Sequence, residues 1–164
     1  MSAYLDGLKM LGRRELSEWQ VRQRLARKAY PRHEIDEAVA RLCGERAIDD
    51  QRVAEAIARM ETGIRKRGKV RVRLQLERAG IAKDTARQAI DDVFERIDGD
   101  ELLEASLRKR LRGRETIADD REFQRLFRYL VGQGFELRGV NADLLAERGD
   151  LLVEIGASTG GVGH

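Results

Sequence analysis

The sequence feature that most constrains the fold is an internal repeat. Residues 21–42 align without a gap on residues 72–93, and every aligned pair is 51 positions apart. Such repetition at a fixed period is typical of chains built from small stacked modules. The matched apolar pairs are Val21 with Val72, Leu25 with Leu76, Tyr30 with Ile81, Ala38 with Ala89, Val39 with Ile90 and Leu42 with Val93.

A third and weaker copy follows 54 positions after the second. Glu147 stands where the second copy has the apolar Val93, so the end of this copy departs from the pattern. The copy is otherwise recognisable over its whole length, which indicates three modules in the chain. It places Leu126, Leu130, Gly134, Phe135, Val140 and Leu144 on Val72, Leu76, Gly80, Ile81, Ala86 and Ile90.

The spacing of the apolar residues predicts an all-α fold. Within each copy they recur at helical intervals on both sides of a break, which indicates two helices joined by a turn. Another helical stretch precedes each pair, at about 3–13, 50–66 and 101–112. A single proline and charged residues at 37% fit long, amphipathic helices.

We therefore predict three tandem three-helix repeats, spanning 3–48, 49–97 and 98–148, and a flexible tail over 149–164. A repeat of about 50 residues has little core of its own. Neighbouring repeats should therefore contact each other in sequence order and form an elongated, curved array.

Residues at the predicted helix ends carry capping signals. Ser17 and Gln20 have the spacing of a capping box at the start of the second helix. Pro31 suits the first turn of the third helix, and Gly44 suits a left-handed position at its end. The other signals are Asp49 or Asp50 and Asp98 or Asp100 as N-caps, Gly68 and Gly80 as separators, and Gly113 as a stop.

The residue inventory favours a protein without catalytic, cofactor or metal chemistry. The single Cys43 is predicted to be structural, His33 to be a solvated surface residue, and His164 is the last residue. These three residues offer neither a disulfide nor a metal-ligand cluster. No phosphate-binding loop of the Gly-x-x-x-x-Gly-Lys type occurs, and pairs of acidic residues fit helix caps. We therefore expect a protein that is not an enzyme.

The sequence shows no N-terminal signal peptide and no membrane-spanning stretch. The first ten residues have no basic segment followed by an apolar one, and no stretch approaches 18 apolar residues. We expect a cytoplasmic protein that does not enter the membrane.

The strongest local anomaly is a run of cations without any acid. Nine residues hold six positive charges: Arg65, Lys66, Arg67, Lys69, Arg71 and Arg73. A looser cluster comprises Arg108, Lys109 and Arg110 and continues through Arg112 and Arg114. Cations can stabilise the C-terminal end of a preceding helix, and this explanation is favoured for the second cluster. For the first cluster we favour an anionic partner, either acidic protein or nucleic-acid phosphate.

The aromatic residues argue against stacking on nucleic-acid bases. Proteins that bind single strands expose aromatic side chains among their basic residues. Here most aromatics fall on or beside the apolar positions of the repeat, so we predict that they pack in the core. They are Trp19, Tyr30, Phe94, Phe123, Phe127, Tyr129 and Phe135.

The order and spacing of these elements resemble RecX, the bacterial regulatory protein of the RecA recombinase. The likeness covers about residues 3–148. It rests on the helix breaks Arg-Lys-Ala-Tyr30, Arg-Ala-Gly-Ile81 and Gln-Gly-Phe135. Further support comes from Leu-Gly-Arg-Arg-Glu-Leu-Ser17, from Ile48-Asp-Asp50 and from Lys66-Arg-Gly-Lys69.

The resemblance implies an inhibitor of RecA that works without catalysis. Such a protein lodges in the groove of the RecA filament, suppresses ATP hydrolysis and strand exchange, and favours filament disassembly. It thereby modulates recombination, DNA repair and the SOS response. We expect a monomer that docks through the cations of the two clusters, with an auxiliary contact to DNA phosphates. Two alternatives stay open: a helix-turn-helix DNA-binding protein, and a helical adaptor for another protein.

Overall fold

The computed structural model describes residues 2–114 and 117–137 of the chain. These residues form eight α-helices and no strand, which confirms the prediction of an all-α fold. The expected third helix of the third repeat and the expected flexible tail 149–164 lie outside the described residues. The helices are α1 (Ala3–Leu11), α2 (Glu18–Arg27), α3 (Arg32–Gly44), α4 (Asp50–Gly63), α5 (Lys69–Arg78), α6 (Lys83–Glu95), α7 (Gly99–Leu111) and α8 (Asp120–Gly132).

The chain divides into two compact units. Of the described residues, the first contains 2–60 and 73–93, and the second contains 61–72, 94–114 and 117–137. Helices α4 and α5 each begin in one unit and end in the other. The boundaries of the three sequence repeats stay predictions.

The core of the first unit forms where α1 and α2 pack against α3. Gly7 lets α1 approach α3 closely, because a methyl group at this position would lie 2.7 Å from Leu42 Cδ1. Each leucine fully buried in such a core stabilises the fold by about 1.5 to 3 kcal/mol. The buried residues are Ala3, Leu16, Val21, Leu25, Ile35, Ala38, Val39, Leu42 and Ile48.

The core of the second unit is built mainly by α7 and α8. Phe135 is buried in it, and Phe94, Phe123, Phe127 and Tyr129 pack against it while partly buried. This confirms the predicted role of these aromatics. The buried residues are Leu102, Leu103, Leu107, Leu111, Ile117, Leu126, Leu130, Phe135 and Leu137.

Trp19 departs from the prediction that it packs in the core. Its side chain is 47% exposed. The indole instead lies on the backbone of Gly80, where a methyl group would come within 2.4 Å of Trp19 Cβ. An aromatic side chain near the start of a helix can thus cover a glycine with one face of its ring and leave the other face exposed to solvent.

The second helix of each repeat ends in the same turn. A residue with positive φ follows the helix, and the next N–H donates to the carbonyl five residues earlier, as in a Schellman motif. The three sequence copies therefore share this backbone turn as well as their apolar residues. The left-handed residues are Ala29, Gly80 and Gly134, with φ of 63°, 73° and 93°, and the bonds run from Tyr30 to Leu25 (3.4 Å), from Ile81 to Leu76 (3.1 Å) and from Phe135 to Leu130 (3.2 Å).

Several predicted N-caps are confirmed. The Ser17 hydroxyl accepts from Gln20 N at 3.1 Å, and the Gln20 side chain accepts from Ser17 N at 3.0 Å. Asp49 caps α4 by accepting from Arg52 N at 3.1 Å. Asp98 caps α7. The sequence spacing thus fixed these three helix starts.

Two predictions about helix ends are wrong by one or two residues. Pro31 is the N-cap of α3 and does not belong to its first turn. Gly44 is the last residue of α3, and the left-handed residue is Arg46, with φ 59°. The later turn lets Ile48 N donate to Leu42 O at 3.1 Å and buries Ile48 in the core.

Candidate functional site

The basic segment 65–73 lies where α4 gives way to α5. Helix α4 ends at Gly63 and α5 begins at Lys69. Arg65, Lys66 and Arg67 therefore belong to the connection, and Lys66 adopts a positive φ of 53°. The other three predicted cations of this cluster, Lys69, Arg71 and Arg73, occupy the first two turns of α5.

A buried carboxylate holds two of these six cations. Glu61 is only 1% exposed. Its Oε1 lies 3.1 Å from Arg65 Nη1, and its Oε2 lies 2.8 Å from Arg67 Nη1. The expectation that all six charges are uncompensated is wrong for Arg65 and Arg67. The acid escaped notice because it precedes the cluster, although its position four residues before Arg65 is the usual spacing of a helical ion pair.

The remaining cations have no carboxylate partner among the described residues. They are Lys66, Lys69, Arg71 and Arg73. The Lys69 ammonium group lies 5.4 Å from the centre of the Phe94 ring, which fixes it over an apolar surface. We call these four residues the α5 basic surface.

The dipole of α5 does not explain Lys69 and Arg71, the two cations of this surface in the first turn of the helix. The N-terminal end of a helix carries a partial positive charge, which favours acids and disfavours cations. The first turn of α5 contains Lys69 and Arg71 and no acid. The first-turn cations and the positive end of the helix dipole therefore repel each other, and binding of an anionic partner would relieve this repulsion.

The start of α5 is anchored to the end of α8 by main-chain contacts. Gly68 N donates to Gln133 O at 2.9 Å, and Val70 N donates to Gly134 O at 3.1 Å. The backbones touch so closely that a methyl group on Gly68 would lie 2.5 Å from Gly134 O. Two amides at this helix start are thus occupied, and an anion would be held by the basic side chains.

The second predicted cluster has a different environment. Arg108, Lys109 and Arg110 occupy the last turn of α7, where the helix dipole stabilises cations. The Arg110 guanidinium also lies 4.9 Å from the centre of the Tyr129 ring. These contacts fit the interpretation of a solvated helix end.

An apolar groove that the sequence did not reveal lies beside Lys69. Its volume is about 970 Å³. Two of its apolar residues, Val70 and Val131, are more than two-fifths exposed. The sequence could have indicated this groove through the large apolar residues that lie directly beside the aligned apolar positions of the repeat. The apolar lining includes Val70, Phe94, Ile97, Phe127, Val131 and Phe135.

The described residues contain one thiol, that of Cys43, and one imidazole, that of His33. Burial raises the pKa of the Cys43 thiol, and nearby Glu18 and Asp50 raise it further, so the thiol stays protonated. His33 is exposed. Among residues 2–114 and 117–137, no three His, Cys, Asp or Glu side chains cluster as metal ligands. No helix in this part of the chain is long and apolar enough to span a bilayer.

Comparison with known proteins identifies the family. Residues 3–42 match the first three-helix domain of RecX. The regulatory protein RecX of Syntrophotalea carbinolica is 31% identical over 134 residues, which cover 81% of this chain and 88% of that protein. That of Halorhodospira halophila is 32% identical, covering 82% of this chain and 81% of its own.

A solved structure has the same fold. The crystal structure of RecX from Lactobacillus salivarius superimposes with a TM-score of 0.73 at 19% identity, covering 91% of this chain and 95% of that one. The repeats, the recurrent helix-ending turn and the relatives agree, and the chain belongs to the RecX family of regulatory proteins.

Proposed function

We propose that this chain binds the groove of the RecA–DNA filament and inhibits ATP hydrolysis and strand exchange by RecA. In this way it regulates recombination and DNA repair, without a cofactor and as a monomer. Its relatives are named regulatory protein RecX. The observation that carries the proposal is the α5 basic surface, whose four cations lack carboxylate partners among the described residues.

The surroundings of this surface support docking onto protein rather than onto nucleic acid alone. Lys69 and Val70 also line the apolar groove, so cations and an apolar surface adjoin. Protein interfaces combine an apolar centre with a charged rim, and the rim charges steer association. We assign Lys66, Lys69, Arg71 and Arg73 to electrostatic docking.

The other predicted cations take supporting roles in this proposal. Arg65 and Arg67 are held by Glu61 and shape the connection between α4 and α5. Arg108, Lys109 and Arg110 are available for the auxiliary contact with DNA phosphates, because side chains of a solvated helix end can rotate toward an anion.

Titration of the protein into a DNA-dependent ATPase assay of RecA tests the proposal. Hydrolysis should fall as the protein is added, and undiminished hydrolysis at saturation would refute the function. The double variant Lys69→Glu/Arg71→Glu should need about tenfold more protein or more for the same inhibition, because each reversed rim charge costs on the order of 1 kcal/mol.

A matched control separates the site from net charge. Lys83→Glu/Arg87→Glu changes the charge equally at two exposed residues outside every site described above. It should inhibit like the unmodified protein. Equal potency of the two double variants would remove the assignment of the α5 basic surface and leave the regulatory function standing.

A further inference from the structure

A second basic surface lies in the first unit and was not among the predicted docking residues. Five cations line one cleft of about 230 Å³ together with Met10 and Asp6. They come from three places: the last turn of α1, the connection to α2, and the second half of α2 with its C-cap. We call it the α1 cleft; its cations are Lys9, Arg13, Arg14, Arg24 and Lys28.

The single carboxylate of the cleft is already engaged. Asp6 is 6% exposed, accepts a 2.6 Å hydrogen bond from the Tyr30 hydroxyl, and lies 3.3 Å from Lys28 Nζ. The Tyr30 hydrogen bond, followed by Lys28, keeps the pKa of Asp6 below its ordinary value. Asp6 therefore neutralises Lys28 and holds it in place. The other four cations of the cleft have no carboxylate partner among the described residues.

Other cations of the same unit do form ion pairs, so the lack of carboxylate partners for four cations of the α1 cleft is a distinctive feature of this cleft. Arg22 pairs with Glu18, Arg41 with Glu45, and Arg52 with Glu15. Acids are thus available on this unit, yet they lie outside the α1 cleft. Four uncompensated cations around one concavity repel each other, and binding an anion relieves that repulsion. The negative end of the α1 dipole offsets part of the charge on the residues nearest to it and leaves the rest.

The composition of the cleft distinguishes phosphate from an acidic protein surface. A protein interface needs apolar or aromatic anchors at its centre, and the cleft offers only the half-buried Met10. No aromatic ring lines it, so bases have nothing to stack on. Arginine forks and lysine ammonium groups are the usual contacts to phosphate oxygens, which position nucleic acid without reading its sequence.

We infer that the α1 cleft is a binding site for the phosphate backbone of nucleic acid, and that it acts without base preference and without RecA. Lys9, Arg13, Arg14 and Arg24 contact the phosphates, and Asp6 keeps Lys28 and Tyr30 in position. This site shares no residue with the α5 basic surface that we assign to RecA. The inference concerns a ligand that the chain binds by itself.

Fluorescence anisotropy with a labelled mixed-sequence oligonucleotide, single-stranded in one arm and duplex in the other, tests the inference in the absence of RecA. The full chain should bind with a strong salt dependence. The variant Lys9→Gln/Arg13→Gln/Arg14→Gln alters three exposed residues and should bind about tenfold or more weakly at 0.1 M salt. Each lost phosphate contact removes about 0.9 from the slope of log K against log salt for duplex and about 0.7 for single strand, so the slope should fall by about 2 to 3.

The control variant Arg22→Gln/Arg41→Gln/Arg52→Gln removes the same number of charges from the same unit, at arginines that have carboxylate partners. Its slope should stay within about one contact of the unmodified value. Equal slopes for the two triple variants would overturn the site. Competition by polyglutamate as effective as by unlabelled DNA would overturn the assignment to phosphate. Far-UV circular dichroism verifies that both variants remain helical.

Since RecA is absent from this assay, its outcome does not depend on the proposed function. A cleft variant that loses DNA binding while the chain fails to inhibit RecA would keep the inference and refute the function. The reverse result would refute the inference alone.

Discussion

Two junctions between helices occupy equivalent positions in the repeat and are held by different means. In the first unit, the start of α2 meets the end of α5, and the Ser17 hydroxyl donates to Ala79 O while Trp19 covers Gly80. In the second unit, the start of α5 meets the end of α8. There Gly68 donates through its main-chain N–H, and glycines stand on both sides.

This difference explains why the second junction can have basic side chains at the start of α5. A side-chain junction uses the first residues of its helix for capping and covering, as Ser17 and Trp19 do. A main-chain junction needs only glycine at the point of closest approach, because the backbone supplies the hydrogen bonds. The side chains at the start of α5 are therefore not needed for the hydrogen bonds of the junction, and several of them are basic. Substitutions that act on one junction and spare the other test this comparison.

The largest effect should come from Gly134→Ala. Gly134 has φ 93°, and an added methyl group would lie 2.3 Å from Arg71 N, which cannot move without breaking the junction. We expect a loss of about 3 to 5 kcal/mol in the free energy of unfolding, measured by urea denaturation. Gly132→Ala is the control, because nothing lies within 4 Å of a methyl group there. A neutral Gly134→Ala would mean that the backbones do not touch.

Glu61→Gln should have the next largest effect. The substitution keeps the shape of the side chain and removes the charge that holds Arg67, which is 19% exposed, and Arg65. Breaking such a partly buried pair by removing one partner costs about 2 to 4 kcal/mol. Glu45→Gln breaks the exposed pair with Arg41 and should cost at most about 1 kcal/mol in the same denaturation experiment. Equal losses would show that Glu61 is not a buried anchor.

The sequence predicted the elements of the fold better than the contacts between them. The helical period and the recurrence of Ala29, Gly80 and Gly134 positions follow from local chemistry, and so do the caps at Ser17 and Asp98. Gly68 was recognised as a separator, but its contact with Gly134 joins residues far apart in the chain. Nothing in a local pattern marks two glycines as partners.

The candidate site shows the same limit. The positive run 65–73 was visible because its charges are consecutive. The neutralising role of Glu61 depends on its burial, which is a tertiary property. The α1 cleft was not predictable as a site, because its cations are spread over three stretches of chain from Lys9 to Lys28 and only folding brings them together. Charge that is contiguous in sequence is therefore easier to find than charge that is contiguous in space.

Gly80→Ala sharpens the comparison at the first junction. The three atoms nearest to a methyl group here all belong to the Trp19 side chain, the closest being Cβ at 2.4 Å, and φ is 73°. We expect a loss of about 2 kcal/mol, smaller than at Gly134 because Trp19 is 47% exposed and can shift toward solvent, whereas the backbone at Arg71 is held in the second junction. In a Trp19→Gly background, which also removes Trp19 Cβ, the same substitution should cost only about 1 kcal/mol, which is the left-handed strain by itself. An unchanged cost in that background would show that Trp19 does not cover Gly80.

The smallest effect should come from Ser17→Gly, which gives the first junction the residue that the second has at Gly68. The hydroxyl loses its bonds to Gln20 N and Ala79 O. Glycine is an acceptable N-cap, so we expect a loss of about 1 to 1.5 kcal/mol in the urea experiment, mostly from the uncapped Ala79 carbonyl. The reverse exchange, Gly68→Ser, should cost more than twice as much, because its Cβ would lie 2.5 Å from Gly134 O. Equal losses for Ser17→Gly and Gly68→Ser would show that the two junctions are built alike. The unequal losses that we expect follow from the contacts that change, because Ser17→Gly removes a side-chain contact whereas Gly68→Ser disrupts a main-chain contact.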